Sequence, residues 1–337
     1  MNGIQYMATS LPGLEEVLAN EIRRKIADAH RITMTRGKVL FVSNLPIEQL
    51  LSLRTADNLY RVIGQFRAGL HRSGLLNLEA SCAAADLSFV ERLHSAPDNF
   101  IVNASRKGKH TFSRFEAADA AMRGIAKQYP RWRKGSPEYH TFEFRLDLEG
   151  EQALFSFRLT DSAFRFRGKD RLFSPAALRP TVAHALVWLS SPAAGDRFID
   201  PCCGSGSIVG ERLAYPAASI RGGDLSPEAV QVAKASVPAA IEQWDARHLP
   251  LDRGAVNIVV SNVPFGRQIG DRNELDGLYR ELMREMSRVL QPGGRAILLA
   301  EDGALLSRAA ERYFLSCAET LRLSLKGIQP AVYILKK

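Results

Sequence analysis

The chain has 337 residues, 46% of them hydrophobic, and a formal net charge of +9, enough material for two or three packed units at ordinary domain sizes. No apolar run nears the roughly eighteen residues needed to cross a bilayer, and the opening Met1-Asn2-Gly3-Ile4-Gln5-Tyr6 lacks a basic start followed by an apolar stretch, so a cytoplasmic protein is expected. Cys82, Cys202, Cys203 and Cys317 include no Cys-x-x-Cys pair, which argues against a disulfide framework or a zinc site; reduced thiols and no metal are expected.

In chain order, Ile4 to Thr9 reads as a strand, and Pro12-Gly13 leads into a helix with Leu14, Val17, Leu18, Ile22 and Ile26 on one stripe. Lys38 to Val42 returns as a strand, giving a β–α–β start. After a loop-rich middle, Phe100-Ile101-Val102 reads as a strand, and Ser113-Arg114-Phe115-Glu116 is a capping box opening a helix to about Gln128. Phe142, Phe144, Leu146 and Leu148 alternate, then Ala153, Phe155, Phe157 and Leu159, with Glu149-Gly150 between them, so a hairpin is expected.

The second half alternates strands and helices in the manner of a parallel sheet. Strands are expected ending at Phe198-Ile199-Asp200, then at 219–221, 239–243, 255–260 and 295–300, with helices at 207–214, 227–237 and 275–290, the last stopped by Pro292-Gly293-Gly294. The tail, 321–326 and 331–335, has no room for a helix between its strands, so these form an antiparallel pair.

Charge separates the two halves. Residues 1–180 carry 27 Lys/Arg against 19 Asp/Glu (+8), and residues 181–337 carry 18 against 17 (+1). Phosphate backbones are a common large partner for such an excess, although a solvated basic surface gives the same count. Arg106, Lys107, Lys109 and Arg114 surround Gly108, and Arg131, Arg133 and Lys134 form a second cluster beside Trp132, which can either stack on a base or pack.

Asp200-Pro201-Cys202-Cys203-Gly204-Ser205-Gly206-Ser207 falls at the first strand-to-helix turn of the second half, where a nucleotide-like ligand meets the carboxyl edge of a sheet. Val209 stands where a dinucleotide fingerprint needs its third glycine. An aspartate before the glycines would repel a pyrophosphate but suits a cation, as in S-adenosylmethionine with its sulfonium and ammonium. Asp224 is then placed for the ribose hydroxyls and Asp245 for the adenine amine; each also has an ordinary reading as a cap or a loop residue. Cys202 and Cys203 read as small fillers of the turn rather than nucleophiles.

The turn 200–207, Asp224, Asp245 and Ser261-Asn262-Val263-Pro264-Phe265-Gly266 together resemble the Rossmann-fold methyltransferases that modify exocyclic amines, whose fourth-strand signature is Asn/Asp-Pro-Pro-Tyr/Phe. Within them, Ser261 to Gly270, the segment 177–183 and the opening Leu11-Pro12-Gly13-Leu14-Glu15-Glu16 resemble the THUMP-containing tRNA guanine-N2 methyltransferases. The resemblance covers nearly the whole chain and is strongest over 178–337. It implies an α/β fold: a C-terminal Rossmann-like methyltransferase domain, with a mostly parallel seven-stranded sheet and an antiparallel last pair, preceded by α+β ferredoxin-like and THUMP domains. The implied units are 1–65 (ferredoxin-like), 66–162 (THUMP, RNA-binding), 163–180 (linker) and 181–337 (methyltransferase).

The resemblance further implies S-adenosylmethionine held by Asp200, Cys202, Gly204, Ser205, Gly206, Asp224, Asp245 and Thr181. Its tRNA partner, including the 3′ end, would meet Arg106, Lys107, Lys109, Arg114, Arg131, Arg133 and Lys134, and a monomer is favoured.

The fourth-strand loop has a mechanistic reading of its own. An aromatic amine is a poor nucleophile because its lone pair is delocalised, and acceptors on its N–H bonds push density back to nitrogen. Asn262 and the Val263 carbonyl can supply them, with Phe265 stacking on the base beside Pro264. A pyrimidine C5 enzyme would need a cysteine where Phe265 stands. Adenine-N6 methylation uses the same loop, so the loop alone leaves it open. Val263 replaces a family proline, and a tRNA-binding module with a weak or inactive methyltransferase half stays open with it.

Overall fold

Strands β1 (Ile4–Thr9), β2 (His30–Thr35), β3 (Lys38–Ser43), β4 (Asn58–Arg67), β5 (Asn99–Lys107), β6 (Arg133–Lys134), β7 (Phe142–Glu149) and β8 (Gln152–Arg158) build one sheet in the order β2-β3-β1-β4-β8-β7-β5-β6. The computed structural model describes residues 3–93, 99–161, 163–168, 177–265, 272–325 and 327–337. Helices α1 (Glu15–Lys25), α2 (Ile47–Leu50), α3 (Gly74–Ala83), α4 (Ser88–Leu93) and α5 (Arg114–Gln128) accompany this sheet. In α1 the apolar stripe buries Val17, Leu18 and Ile22, while Glu15 and Glu16 in the first turn and Arg23 to Lys25 in the last complement the helix dipole. Helix α5 carries the expected capping box, with Ser113 Oγ accepting from the Glu116 N–H and Glu116 accepting from the Ser113 N–H.

Two cores lie along this one sheet. Tyr6, Leu18, Ile22, Phe41 and Leu59 belong to one, and Phe100, Trp132, Phe144, Phe155 and Phe157 to the other. The boundary expected at 65/66 falls inside β4, which pairs with β1 through Asn58–Arg61 and with β8 through Tyr60–Arg67. The β–α–β start is corrected: β2 intervenes between α1 and β3, and β1 and β3 are antiparallel. β2 is mostly exposed, so it carries no apolar alternation to reveal it.

The second sheet comprises β9 (Arg197–Asp200), β10 (Ser219–Asp224), β11 (Ala240–Gln243), β12 (Val256–Asn262), β13 (Leu290–Ala300), β14 (Ser316–Arg322) and β15 (Ala331–Lys336), ordered β11-β10-β9-β12-β13-β15-β14. The first five are parallel, and β15 runs antiparallel to both neighbours. Helices α6 (Pro180–Leu189), α7 (Ser207–Arg212), α8 (Pro227–Ser236), α9 (Arg272–Val289) and α10 (Gly303–Arg312) complete the Rossmann-like unit. Helix α9 ends at Val289, within a residue of the expected 290, and Pro292-Gly293-Gly294 follows it. It lies within β13, where the pairing jumps from Val256↔Leu290 to Ile258↔Arg295 and a bulge absorbs the extra residues. β14 begins earlier than the expected 321, after α10.

The halves interlock. Leu11, Leu14 and Val17 pack with Val182, Leu186, Ile258 and Leu299 in one core, and a Cβ on Gly13, at φ +104°, would sit 2.3 Å from the Arg322 carbonyl oxygen.

Candidate active site

Parallel strands deliver their ends to one edge, so residues far apart in sequence become neighbours. Asp200 closes β9, Asp224 closes β10, Asp245 follows β11 by two residues, and Asn262 closes β12. A cavity of about 500 Å³ is lined by Asp200, Cys202, Gly204, Ser205, Asp224, Asn262, Val263, Pro264 and Phe265 among others. A second, of about 420 Å³, shares Cys202, Asp224 and Pro264 with it and extends to Asp245, Arg247, Leu225, Leu278 and Leu282. Together they form one groove, more strongly apolar toward the Asp245 end. A larger hollow of about 700 Å³ near Glu301, Glu319 and Arg322 includes none of the predicted site residues.

The glycine turn is built for close approach. Gly204 has φ +53°, and a Cβ there would meet no protein atom within 4 Å, only the space the turn leaves open. Its N–H donates to Asp224 Oδ2 at 2.8 Å, and the Ser226 N–H donates to Oδ1 at 3.0 Å, which holds Asp224 at the junction of the two cavities. Gly206 takes the N-cap position of α7 with φ +80°, and Ser205 is buried beside it. Burial pushes both the Cys202 and Cys203 thiols up, so neither offers a thiolate.

A carboxylate oxygen and an amide oxygen in this site are buried without a donor, and the Ser207 hydroxyl lining the same cavity is also unpartnered. Asp200 Oδ1 accepts from the Ser261 hydroxyl at 2.7 Å and the Cys202 N–H at 3.2 Å, but Oδ2 has no partner. Asn262 Oδ1 is likewise buried and unpartnered. Buried polar atoms are nearly always satisfied, so both oxygens fit groups that a ligand brings: Asp200 an ammonium, Asn262 an amine N–H.

The loop after β12 is tied at two points. The Val263 N–H donates to the Leu299 carbonyl at 3.2 Å, and the Tyr279 hydroxyl donates to the Pro264 carbonyl at 3.1 Å. Val263 is buried, whereas Phe265 lines the cavity half-buried. Gly266 to Gly270 lie outside the described residues.

Two of the expected cofactor contacts already have protein partners. Thr181 does not line either cavity; it is buried, and its hydroxyl donates to Asp57 at 2.8 Å, joining α6 to the first half. Asp245 lines the apolar cavity, but Arg247 Nε and an Nη donate to its carboxylate at 2.9 and 2.8 Å, holding it below the usual range. Sequence reasoning missed Ser261, Tyr279 and Arg247. Tyr279 sits on the apolar stripe of α9, indistinguishable by spacing from a core residue.

The basic residues divide by partner. Arg106 donates to the carbonyls of His110 and Phe112 and so folds its own loop, whereas Lys107 pairs with Glu149 on the neighbouring strand β7. Arg114 lies 4.8 Å over the Phe115 ring. Lys109, Arg131, Arg133 and Lys134 are exposed. The two clusters are not one patch: Arg133 pairs with Asn99 and Arg106 lies seven residues farther along β5, roughly 23 Å at the usual strand rise. Trp132 packs, stacked on Tyr129 at 4.2 Å and only 3% exposed.

A family model described as RMKL-like, methyltransferase domain, matches residues 167–330. The tRNA (guanine(6)-N2)-methyltransferase of Thermus thermophilus is 30% identical over 98% of both chains. The Bos taurus tRNA (guanine(6)-N(2))-methyltransferase THUMP3 is 31% identical over 71% of this chain, which spans about half, 51%, of that relative's length. Among solved structures, TrmN from Thermus thermophilus superposes with a TM-score of 0.84 at 26% identity, covering 99% of each chain. With 30% identity to the Thermus protein over nearly the full length of both chains, the chain belongs to the tRNA (guanine-N2)-methyltransferase family.

Proposed function

We propose that this protein methylates the N2 amine of a guanosine in tRNA with S-adenosylmethionine as donor. The observation that carries the reading is the buried, unpartnered Oδ1 of Asn262 on the wall that also holds Asp200 and Gly204. S-adenosylmethionine, when bound, supplies an electrophilic methyl group on a sulfonium. Asp200, Cys202, Gly204, Ser205 and Gly206 would hold its amino-acid end and Asp224 its ribose. Leu225, Leu278 and Leu282 would line its adenine, whose amine would share Asp245 with Arg247.

Asn262 Oδ1 takes one N–H of the guanine amine and the Val263 carbonyl the other, returning lone-pair density to nitrogen as it becomes tetrahedral. Phe265 stacks on the base and fixes its angle of attack. The Tyr279 hydroxyl on the Pro264 carbonyl keeps this loop in place. The two cores along the first sheet support a division into ferredoxin-like and THUMP units near β4. The +8 excess of residues 1–180, with Lys109, Arg114, Arg131, Arg133 and Lys134 exposed, supports tRNA contact there, and the resemblance to THUMP proteins extends that contact to the 3′ end.

Incubation of the protein with unmodified tRNA and labelled S-adenosylmethionine, followed by nucleoside analysis, tests the reading. N2-methylguanosine is expected. Label in N6-methyladenosine would overturn the choice of base, and tRNA and cofactor binding without product would favour a binding module.

A further inference from the structure

Asp200 is the most deeply buried carboxylate of the groove, 1% exposed, and its surroundings are chemically one-sided. From the turn it meets the Cys202 N–H and the Cys202 and Cys203 thiols, which burial keeps protonated. From β10 it meets the like charge of Asp224, and from β12 the Ser261 hydroxyl. Among the described residues, no cation acts on it. A carboxylate taken from water into such a place, without a countercharge, keeps its proton instead. Burial, reinforced by Asp224, pushes Asp200 up to about 7, against the two hydrogen bonds that favour its charged form.

The geometry is as specific as the charge. Ser261 and Cys202 both donate to Oδ1, which leaves Oδ2 as the oxygen to carry the proton or to meet a cation. Ser261 immediately precedes Asn262, so one strand end orients the carboxylate and carries the amine acceptor.

We propose that the ammonium of the cofactor replaces the proton on Asp200 Oδ2, so that cofactor binding releases one proton to solvent, with Ser261 as the positioning residue that reserves this oxygen. This rests on the methyltransferase reading above. The neutral carboxyl loses H⁺ to buffer, and the resulting carboxylate pairs with the ammonium, which keeps its own protons. The cationic partner lowers the bound-state carboxyl below its free-state value, so affinity rises with pH up to about 7 and falls again above about 8, where the free amine loses its own proton.

The test is calorimetry of S-adenosylhomocysteine binding, which retains the ammonium, at pH 6.0 in two buffers of different ionisation enthalpy. The ligand amine, with an ordinary value of about 7.7–8.0, is already protonated there. Wild type should release most of a proton, because a group at about 7 is mainly protonated at this pH. Asp200→Asn should bind more weakly and release none. At pH 7.0, wild type should release about half a proton and Ser261→Ala more, because losing a hydrogen bond to the charged form raises the carboxyl further. Binding by wild type without proton release at pH 6.0 would overturn this inference and leave the cofactor reading standing. No change in Ser261→Ala would remove the positioning role. Absence of any binding by wild type would overturn the methyltransferase reading and this inference with it.

Discussion

At the scale of single residues, the groove depends on side chains whose polar atoms the protein leaves unspent. Asn262 is the clearest case, because its amide oxygen is buried without a donor although a folded chain rarely tolerates that. An acceptor that matters most as the amine becomes tetrahedral contributes to the transition state more than to binding. Asn262→Ala should therefore lower kcat by about 100-fold or more, by analogy with the loss of one preorganised group aimed at developing charge. Cofactor and tRNA affinities, measured by calorimetry and filter binding, should change by less than about threefold, the scale of a weak contact. Full methylation by Asn262→Ala would refute the mechanism. Asn262 and Asp200 were legible in the sequence because a polar residue at the end of an apolar strand is conspicuous; Ser261, one residue earlier, was not, since a serine inside a strand looks like an ordinary buried position.

At the scale of elements, the pairing of β12 with β13 settles what Val263 means. The family proline at this position has no N–H, whereas the Val263 N–H bonds the Leu299 carbonyl and so extends the sheet one residue beyond β12. Val263→Pro would remove that bond and leave a buried carbonyl short of a donor, at roughly 1–3 kcal/mol. A lower melting temperature and lower activity are expected together; a variant as stable and active as wild type would show that the bond contributes nothing. The element reading was most accurate where periodicity was clean: α5 with its capping box, the hairpin β7–β8 and strands β9 to β12 of the second sheet. It failed where pairing rather than pattern makes the strand, as in exposed β2 and in β13, whose Pro292-Gly293-Gly294 marks the end of α9 but lies in a bulge of the strand.

At the scale of the whole molecule, a buried polar network locks the first half onto the methyltransferase unit. Fully buried Glu21 accepts from the N–H groups of Arg54 and Thr55 and from Lys25, while Arg54 and Arg167 both reach buried Glu211. His184, on α6, meets the Thr55 hydroxyl at 2.9 Å and the Tyr215 hydroxyl at 2.6 Å. Burial holds His184 down to about 4, against the attraction of Glu21 and Glu211. Burial alone would raise Glu21, but His184, Lys25 and the Arg54 N–H together bring it below the ordinary range.

The signs agree. A histidine with a depressed folded-state value contributes stability above its unfolded value, about 6.5, and loses it as pH falls toward 4; a depressed glutamate loses its share as pH falls below its own unfolded value of about 4.3. The share of His184 should thus be lost from about pH 6.5 to about pH 4, while Asp200, held up to about 7 in the folded state, gains stability over the same range; in scanning calorimetry the melting temperature of His184→Gln should fall less, or rise more, on acidification than that of wild type. An unchanged slope in the variant would assign the acid sensitivity to other groups.

Composition and local pattern determined that the chain is a two-part α/β protein with a basic first half, and the order of Asp200, Asp224, Asp245 and Asn262 along successive strands determined the edge at which they meet, because parallel strands collect their ends by topology alone. Partnership was decided only by tertiary structure. Nothing in the local sequence says that Arg247 takes Asp245, that Thr181 faces Asp57 rather than the groove, that Arg106 closes its own loop, that Lys107 pairs with Glu149 on β7, or that Trp132 packs inward. Hydrogen-bond and ion-pair partners are set by distance in space, and chain spacing predicts distance only within an element. Oxygens separated by 62 residues, Asp200 Oδ2 and Asn262 Oδ1, line one groove without donors because two sheet-forming strands pass on either side of nothing but each other, β9 against β12.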